Sequence, residues 1–282
     1  KFVRMKDSFI VFDDPDSKKF EELVEDFSLK SVESQRLPFY DALKLTSYSG
    51  DEVDVLYGEE TRELFEDIKN FKKAEINLDE SISRNLRPYQ LDGVRWLSVL
   101  KKHHLGGILA DDMGLGKTLE VIAYLSLCTE QMPVLIVCPK SLIYNWENEF
   151  HKWNPKEKVF VMDGPKESRA ALASNIDDAR KEVFIISYDS LRNDLDLFLN
   201  HRFSNLILDE GQSIANAYAK KTKAVKDIYS RQKFVLTGTP IMNSLLDLWS
   251  IFDFLMPGYL LDFHAFCLRY RDIEDENQED RE

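Results

Sequence analysis

Beyond the first 80 or so residues, the hydrophobic positions of the chain fall into short, almost uninterrupted runs. From about residue 84 onward, six such runs predict β-strands at Gly107–Ala110, Val134–Cys138, Val159–Met162, Val183–Ser187, Leu206–Asp209 and Phe234–Thr237. Continuous apolar runs of this length are typical of parallel strands that are buried on both faces. The pattern therefore predicts a parallel sheet in the interior of this region.

The stretches between the runs carry apolar residues at helical spacing. They predict helices at Thr118–Cys128, Ser141–His151, Leu191–Leu199, Lys220–Tyr229 and Leu245–Leu255. Repeated alternation of strand and helix indicates an α/β fold, with a parallel sheet that has helices on both faces. Ligands bind such sheets at the carboxyl ends of the strands. Within the helices, Trp146, Phe150 and Trp153 lie at helical spacing and are predicted to be core residues.

The first part of the chain follows a different pattern. The apolar run Phe9–Phe12 predicts a short strand, and helical spacing predicts helices at Ser17–Asp26 and Glu59–Phe71. We find no catalytic motif in this part. The chain is therefore predicted to comprise a small α+β accessory segment at 1–80, an α/β lobe at 81–270 and an acidic linker at 271–282.

Composition agrees with a globular fold. The 282 residues are 44% hydrophobic and 31% charged, which excludes a mostly disordered or collagen-like chain. No run of 18 apolar residues exists, so no membrane-spanning helix is expected. The three cysteines form no C-x-x-C pair, which argues against a disulfide framework or a cysteine zinc site and favours a cytoplasmic location. Because position 1 is Lys, we expect a piece of a longer protein.

The net charge of −13 is distributed unevenly. Residues 1–80 hold 12 basic and 21 acidic residues, and residues 271–282 hold 2 and 7. The middle, 81–270, holds 23 and 22, so it is close to neutral. A strongly acidic surface would oppose binding to nucleic-acid phosphates. The balanced middle removes that objection without itself indicating nucleic-acid binding.

The strongest motif runs from Gly107 to Thr118, where a buried strand, a glycine-containing loop and the start of a helix follow one another. Such a loop can turn its N–H groups toward phosphates, and the helix N-terminus favours negative charge. Lys117 would reach the β- and γ-phosphates of ATP, and Thr118 would hold Mg²⁺. The predicted ATP-binding residues are Asp112, Met113, Gly114, Leu115, Gly116, Lys117 and Thr118. Asp111 replaces the first glycine of the strict pattern, so the alternative is a strand–helix turn with an accidental lysine.

Two further strand ends carry candidate chemistry. Asp209 could orient Mg²⁺, and Glu210 could accept a proton from an attacking water. Acidic residues also end strands without any catalytic function. Asp209 and Glu210 are therefore a candidate hydrolysis site only together with the phosphate loop. Thr237 and Thr239 lie at the end of the last strand and could sense the nucleotide, although a simple Gly-Thr-Pro turn would be the favoured explanation if this segment stood alone.

Six segments in this order resemble the Swi/Snf-type ATPases, which are DNA translocases of the superfamily-two helicase group. The matching segments are LRPYQLDGVRWL (86–97), GGILADDMGLGKTLEVIA (106–123), VLIVCPKSLIYNWENEF (134–150), IISYDSLR (185–192), LILDEGQ (206–212) and LTGTPIMNSLLDLWSIFDFLMPGYL (236–260). The amino-acid sequences of these segments are most similar to those of the bacterial members of the family. The resemblance implies a RecA-like lobe, a P-loop nucleotide hydrolase and a place at the bacterial nucleoid in the cytoplasm.

The resemblance also implies roles that spacing alone does not show. Gln90 corresponds to the residue that reads adenine, and Gln212 corresponds to one that couples hydrolysis to Thr237, Gly238 and Thr239. Four residues correspond to contacts with the DNA backbone, namely Lys140, Ser141, Ser187 and Tyr188. Such contacts position duplex DNA without reading its sequence.

Some positions depart from the family pattern. Gly211 stands where Ala is common, Ala215 where a Lys is common, and Met242 where an acidic or amide residue is common. The loss of a cation at Ala215 predicts weaker DNA binding. The segment with a Gln and two arginines that marks the second RecA-like lobe has no match after Leu260, so we expect ATP hydrolysis to require a second lobe.

Three functions fit the sequence to different degrees. The first is the amino-terminal ATP-binding lobe of a DNA-dependent ATPase that moves on duplex DNA, nearly inactive without its second lobe. The second is a non-catalytic nucleotide-binding scaffold, against which Lys117, Asp209 and Glu210 argue. The third is a small-molecule P-loop kinase, which leaves the LTGTP segment and the helix after it unexplained.

Overall fold

The computed structural model describes residues 2–5, 8–12, 34–35, 43–44, 53–241 and 244–270. The predicted helix at Ser17–Asp26, residue Met242 and the acidic segment 271–282 lie outside the described residues. The chain divides into two compact units between Asn70 and Phe71.

The first unit contains a four-stranded sheet. Its strands are β1 (Phe2–Met5), β2 (Ser8–Phe12), β3 (Ser34–Gln35) and β4 (Val53–Leu56), in the order β3-β1-β2-β4. β2 confirms the strand predicted at Phe9–Phe12 and pairs antiparallel with β1 and β4. The helix that follows, α1 (Glu59–Lys69), begins with two acidic residues and ends with a lysine, as the helix dipole favours.

The second unit is built on a six-stranded parallel sheet. Its strands are β5 (Gly107–Leu109), β6 (Val134–Cys138), β7 (Val159–Met162), β8 (Val183–Ser187), β9 (Phe203–Asp209) and β10 (Ser230–Leu236). All six predicted strands are confirmed. β9 and β10 begin earlier than predicted, because polar residues at their amino ends interrupt the apolar run yet still pair, as Gln232 does with Asn205.

Helices cover the sheet between successive strands. In the described part of this unit they are α2 (Glu80–Ser83), α3 (Pro88–Lys102), α4 (Lys117–Leu127), α5 (Ile143–Trp153), α6 (Lys166–Ala173), α7 (Tyr188–Asn193), α8 (Lys220–Asp227), α9 (Leu245–Leu255) and α10 (263–270). Single 3₁₀ turns lie at Phe71–Lys73, Lys140–Leu142, Leu195–Leu197 and Gly211–Ile214. No helix in the described residues is long and apolar enough to cross a membrane.

Several helices differ from the prediction. α2, α3, α6 and α10 were not expected; α3 starts at a proline, and the Gln90 side chain accepts a hydrogen bond from the Arg87 N–H at 2.9 Å, which caps its first turn. The helix predicted at Leu191–Leu199 begins earlier, at Tyr188, because Ser187 Oγ accepts the Ser190 N–H at 3.1 Å. It gives way to a 3₁₀ turn before residue 199.

The order of the strands decides where functional residues meet. The sheet runs β5-β10-β9-β6-β8-β7, so β10 lies between β5 and β9. All pairings are parallel, and the carboxyl ends of these three strands therefore share one edge. The loop after Leu109, the segment after Leu236 and Asp209 are neighbours at that edge. The ends of β6 and β8 lie further along it.

Candidate nucleotide-binding site

The loop after β5 has the backbone geometry that a phosphate loop requires. Gly114 and Gly116 adopt φ angles of 83° and 88°, in the left-handed region that favours glycine. Gly116 is also the N-cap of α4, so the positive end of this 11-residue helix faces the loop. A Cβ atom on Gly114 would have nothing within 4 Å, which leaves the backbone at this point uncovered. The loop therefore fits a bound phosphate chain.

Lys117 is held in the concave side of this loop. Its Nζ donates to the Asp111 carbonyl oxygen at 2.6 Å and to the Asp112 carbonyl oxygen at 3.1 Å. The ammonium group is thus held beside the loop backbone by two neutral acceptors. Phosphate oxygens are stronger acceptors for an ammonium group than carbonyl oxygens are.

Two residues at the start of α3 fix the far side of the loop. Tyr89 OH and Gln90 Nε2 both donate to the Leu115 carbonyl oxygen, each at 2.9 Å. A Cβ atom on Gly116 would collide with Gln90 Nε2, so glycine is required there for close approach as well as for its φ angle. Gln90 therefore holds the loop backbone in place. Tyr89 does the same through its hydroxyl group, a role that the sequence analysis did not predict.

Asp209 lies at the end of β9 and is almost fully buried, with 8% of its surface exposed. Its Oδ2 accepts the indole N–H of Trp146 at 2.8 Å, and its Oδ1 accepts the Glu210 N–H at 2.9 Å. Burial raises the pKa of this carboxyl, and the Glu210 carboxylate adds to the rise; the Trp146 hydrogen bond and the Lys117 charge oppose it. A cation at this position would favour the ionised carboxylate.

A chain of hydrogen bonds links Glu210 to the segment after β10. Gln212 Nε2 donates to Glu210 Oε2 at 2.6 Å, and Thr237 Oγ1 donates to Gln212 Oε1 at 2.9 Å. Thr237 Oγ1 in turn accepts the Thr239 N–H at 3.0 Å. The four residues that the sequence named separately as base and coupling residues are thus directly connected.

The same segment also approaches the phosphate loop. A Cβ atom on Gly238 would lie 3.0 Å from Met113 Cγ and 3.4 Å from Met113 N. A side chain larger than hydrogen would therefore press on the loop. The structure brings the ATP-binding, catalytic and coupling residues of the sequence prediction together at one edge of the sheet.

The four residues predicted to contact DNA divide into two pairs. Lys140 and Ser141 are exposed, and Lys140 Nζ lies 3.5 Å from Asp163 Oδ1. Ser187 and Tyr188 are buried, with 3% and 5% of their surfaces exposed. Ser187 caps α7, and Tyr188 OH donates to the Asp209 carbonyl oxygen at 2.8 Å. Both side chains are thus buried and engaged in the described structure, so a DNA contact at Ser187 and Tyr188 stays a prediction and would involve the backbone.

Comparison with known proteins identifies the family. Residues 89–282 match the SNF2-related domain. The chain belongs to the SNF2-related family. The α/β lobe, with its all-parallel sheet, is accordingly RecA-like, as the sequence predicted.

Individual relatives show how far this likeness extends. The chain is 42% identical to the TATA-binding protein-associated factor MOT1 of Saccharomyces cerevisiae over 218 residues, which are 72% of this chain and 12% of MOT1. It is 36% identical over 257 residues to an uncharacterized ATP-dependent helicase of Mycoplasma pneumoniae, covering 87% of this chain and 24% of that protein. The chain therefore spans a small part of these relatives. Since eukaryotic relatives are prominent among them, the prediction of a bacterial-type member is not confirmed.

A solved structure supports the same family. The Sulfolobus solfataricus SWI2/SNF2 ATPase core in complex with double-stranded DNA superposes with a TM-score of 0.60 at 38% identity. The match covers 68% of this chain and 40% of that one.

One departure from the SNF2-related pattern has a structural reason. Gly211 follows Glu210 and is buried, and a Cβ atom there would collide with Val235 Cγ1. The Val235 side chain on the neighbouring strand would thus have to move to admit the alanine that the resemblance leads one to expect here. Ala215, the second departure, is half-buried at the end of the 3₁₀ turn and precedes the exposed Asn216.

Thr118 and Asp209 are the residues predicted to hold Mg²⁺. No group of three or more His, Cys, Asp or Glu side chains arranged to hold a metal occurs among the described residues. Mg²⁺ in nucleotide sites is bound by one or two protein oxygens together with phosphate oxygens and water. Thr118 is the second residue of α4 and Asp209 ends β9 at the same edge of the sheet, so these two residues would hold the ion there.

A large cavity lies elsewhere. It has a volume of about 1040 Å³ and is lined by residues from the amino ends of the strands and the carboxyl ends of α3 and α4, among them Lys101, Cys128, Glu130 and Arg231. None of the predicted site residues lines it. Loop geometry and hydrogen bonding, rather than cavity size, mark the nucleotide site.

Proposed function

We propose that this chain is the amino-terminal ATP-binding lobe of a DNA-dependent ATPase that moves on duplex DNA. One observation supports this more than any other. The phosphate loop, Asp209–Glu210 and Thr237–Thr239 meet on three adjacent strands and are joined through Gln212. Membership of the SNF2-related family supports the same reaction class.

Each residue of the site has a distinct task in this proposal. The Lys117 ammonium leaves the two loop carbonyls and binds the β- and γ-phosphates of ATP. Thr118 and Asp209 hold Mg²⁺, which when bound neutralises charge on the phosphates. Because each oxygen of Asp209 already accepts one hydrogen bond, each keeps a lone pair for the ion or for its water.

Glu210 serves as the base for the attacking water. Its backbone φ of 51° is left-handed, which is uncommon for a residue with a side chain, and residues held in such conformations cluster at active sites. The Gln212 amide that donates to Glu210 also bonds Thr237, so movement of the segment after β10 changes the position of the base. This connection is the proposed link between hydrolysis and motion.

The lobe alone is expected to bind Mg–ATP weakly and to hydrolyse it barely. The chain covers 40% of the Sulfolobus ATPase core, and the resemblance implies that the second lobe supplies the transition-state arginines. Arginines of this kind contribute about 10³–10⁵ in turnover in related P-loop enzymes. The second RecA-like lobe is therefore a necessary partner.

Duplex DNA is the proposed substrate along which the full-length protein moves. Support comes from the Sulfolobus relative, which was solved in complex with double-stranded DNA. In this chain Lys140 and Ser141 are exposed just after β6, at the edge of the sheet that also holds the nucleotide site. Contacts of this type bind phosphates and do not depend on sequence. A cytoplasmic location at the bacterial nucleoid stays a prediction.

A non-catalytic nucleotide-binding scaffold is the second candidate. It would need the nucleotide loop but not the base, yet Glu210 is present and connected to Gln212 and Thr237. The two candidates differ in one measurable respect, because only the ATPase turns over.

The deciding experiment measures ATP hydrolysis by the full-length protein with and without duplex DNA. We expect DNA to stimulate hydrolysis, and we expect Lys117→Ala and Glu210→Gln both to abolish it. Lys117→Ala should also weaken nucleotide binding, whereas Glu210→Gln should retain it because the change keeps the shape of the side chain. Nucleotide binding by a wild-type protein that shows no turnover with any DNA would favour the scaffold.

A further inference from the structure

Asp209, the proposed magnesium ligand, accepts a hydrogen bond from the indole of Trp146. No other tryptophan in the described residues donates a hydrogen bond to it. Trp146 lies on α5 with no exposed surface, and its Nε1 donates to Asp209 Oδ2 at 2.8 Å. The two residues are 63 positions apart in sequence. A buried indole needs a hydrogen-bond partner, so a purely structural explanation is that Asp209 satisfies Trp146.

The surroundings of Asp209 indicate instead that Trp146 serves Asp209, by holding its carboxylate in place. Its main-chain carbonyl is held by Tyr188 OH at 2.8 Å, and its Oδ1 by the Glu210 N–H at 2.9 Å. Both contacts involve the backbone of the Asp209–Glu210 turn. Within the part of the chain that the structure describes, Trp146 alone joins the carboxylate to a different element of the fold, and it thereby fixes the rotation of the carboxylate against the helix layer.

We infer that Trp146 is a positioning residue, whose N–H fixes the Asp209 carboxylate in the orientation that Mg²⁺ requires. The inference rests on the proposed function, in which Asp209 binds the ion. Donors that orient a ligating carboxylate typically contribute about 10- to 100-fold to metal affinity. Loss of the indole N–H is therefore expected to raise the Mg²⁺ concentration needed for half-maximal hydrolysis by about 10-fold or more.

The chain offers a matched control on the same helix. Trp153 also donates its indole N–H to a carboxylate, Glu149 Oε2 at 2.7 Å, and it lies at the opposite end of α5 from the 3₁₀ turn at Lys140–Leu142. Trp146→Phe and Trp153→Phe each remove one indole–carboxylate hydrogen bond and keep an aromatic ring. Only the first touches Asp209.

The first measurement is independent of hydrolysis. The chain contains four tryptophans, so ¹H–¹⁵N spectra of residues 1–282 contain four indole resonances, and Trp146→Phe assigns one of them. We expect Asp209→Asn to shift the Trp146 resonance and to leave the Trp153 resonance in place. An unchanged Trp146 resonance in Asp209→Asn would overturn the inference.

The second measurement is the Mg²⁺ dependence of ATP hydrolysis by the full-length protein. For Trp146→Phe we expect a half-saturating Mg²⁺ concentration about 10-fold or more higher, with a change in the KM for ATP at saturating Mg²⁺ of less than about 3-fold. Equal Mg²⁺ dependence in Trp146→Phe and Trp153→Phe, with wild-type hydrolysis intact, would overturn the positioning role alone. A wild-type protein that hydrolyses no ATP would overturn the proposed function as well.

Discussion

Replacing Glu120 by Gln should make the protein more stable, and increasingly so as the pH rises. Glu120 lies on α4 with no exposed surface, and neither carboxyl oxygen has a hydrogen-bond partner among the described residues. Its Oε2 occupies the space where a side chain on Gly93 would begin. Burial, and next the charge of Asp111, raise the pKa of Glu120 from 4.5 to about 8.

The sign and size of the effect follow from proton binding. Between pH 4.5 and 8 the folded chain holds a proton on Glu120 that the unfolded chain has released, so the free energy of unfolding falls as pH rises. Each pH unit in this window costs about 1.4 kcal/mol. Glutamine has no proton to lose. The stability difference between Glu120→Gln and the wild type should therefore grow by about 3 kcal/mol from pH 5 to pH 8.

Urea unfolding of both proteins at several pH values measures this difference directly. Titrating groups that do not interact with Glu120 affect both proteins equally, so their contributions cancel from the comparison. Glu167→Gln, at an exposed position in the first turn of α6, removes a surface carboxylate and serves as the control for the substitution itself. A constant difference between Glu120→Gln and the wild type would refute the assignment of a buried, protonated Glu120.

Two further substitutions test the packing and the charge of the site. Gly211→Ala should lower the free energy of unfolding by about 1–3 kcal/mol, because the new methyl group collides with Val235; a urea midpoint equal to the wild type would contradict this. Ala215→Lys should strengthen duplex DNA binding by the full-length protein by a similar factor on any sequence and steepen its salt dependence by about one counterion. A gain confined to one DNA sequence would place this turn away from the backbone.

Local signals made the phosphate loop predictable. The conformations of Gly114 and Gly116 depend on glycine itself, and Lys117 begins the helix that follows them. The strands were readable because both of their faces are buried, which makes each one a continuous apolar run. The amino ends of β9 and β10 could not be predicted in this way. Asn205 and Gln232 are polar, and they are buried because their side chains hydrogen-bond to residues that are distant in sequence.

Contacts between distant segments could not be predicted in this way. Trp146 was correctly expected in the core, but its bond to Asp209 depends on how α5 packs over the end of β9. Ser187 and Tyr188 lie at a strand end, as the resemblance indicated, yet the packing of α7 turns both inward. A position at the edge of a sheet does not by itself determine which side chains reach solvent.

The central claim is that Mg–ATP binds at the loop of Gly114–Thr118 against Asp209 and Glu210. It is tested most directly by titrating ¹⁵N-labelled residues 1–282 with Mg²⁺ and a non-hydrolysable ATP analogue, a method that detects weak binding. The account predicts saturable shifts at Gly114, Gly116, Thr118 and Gly238, with affinity lowered about 10-fold or more by Lys117→Ala. Equal affinity for the wild type and Lys117→Ala, or shifts confined to the cavity beside Lys101 and Arg231, would contradict it.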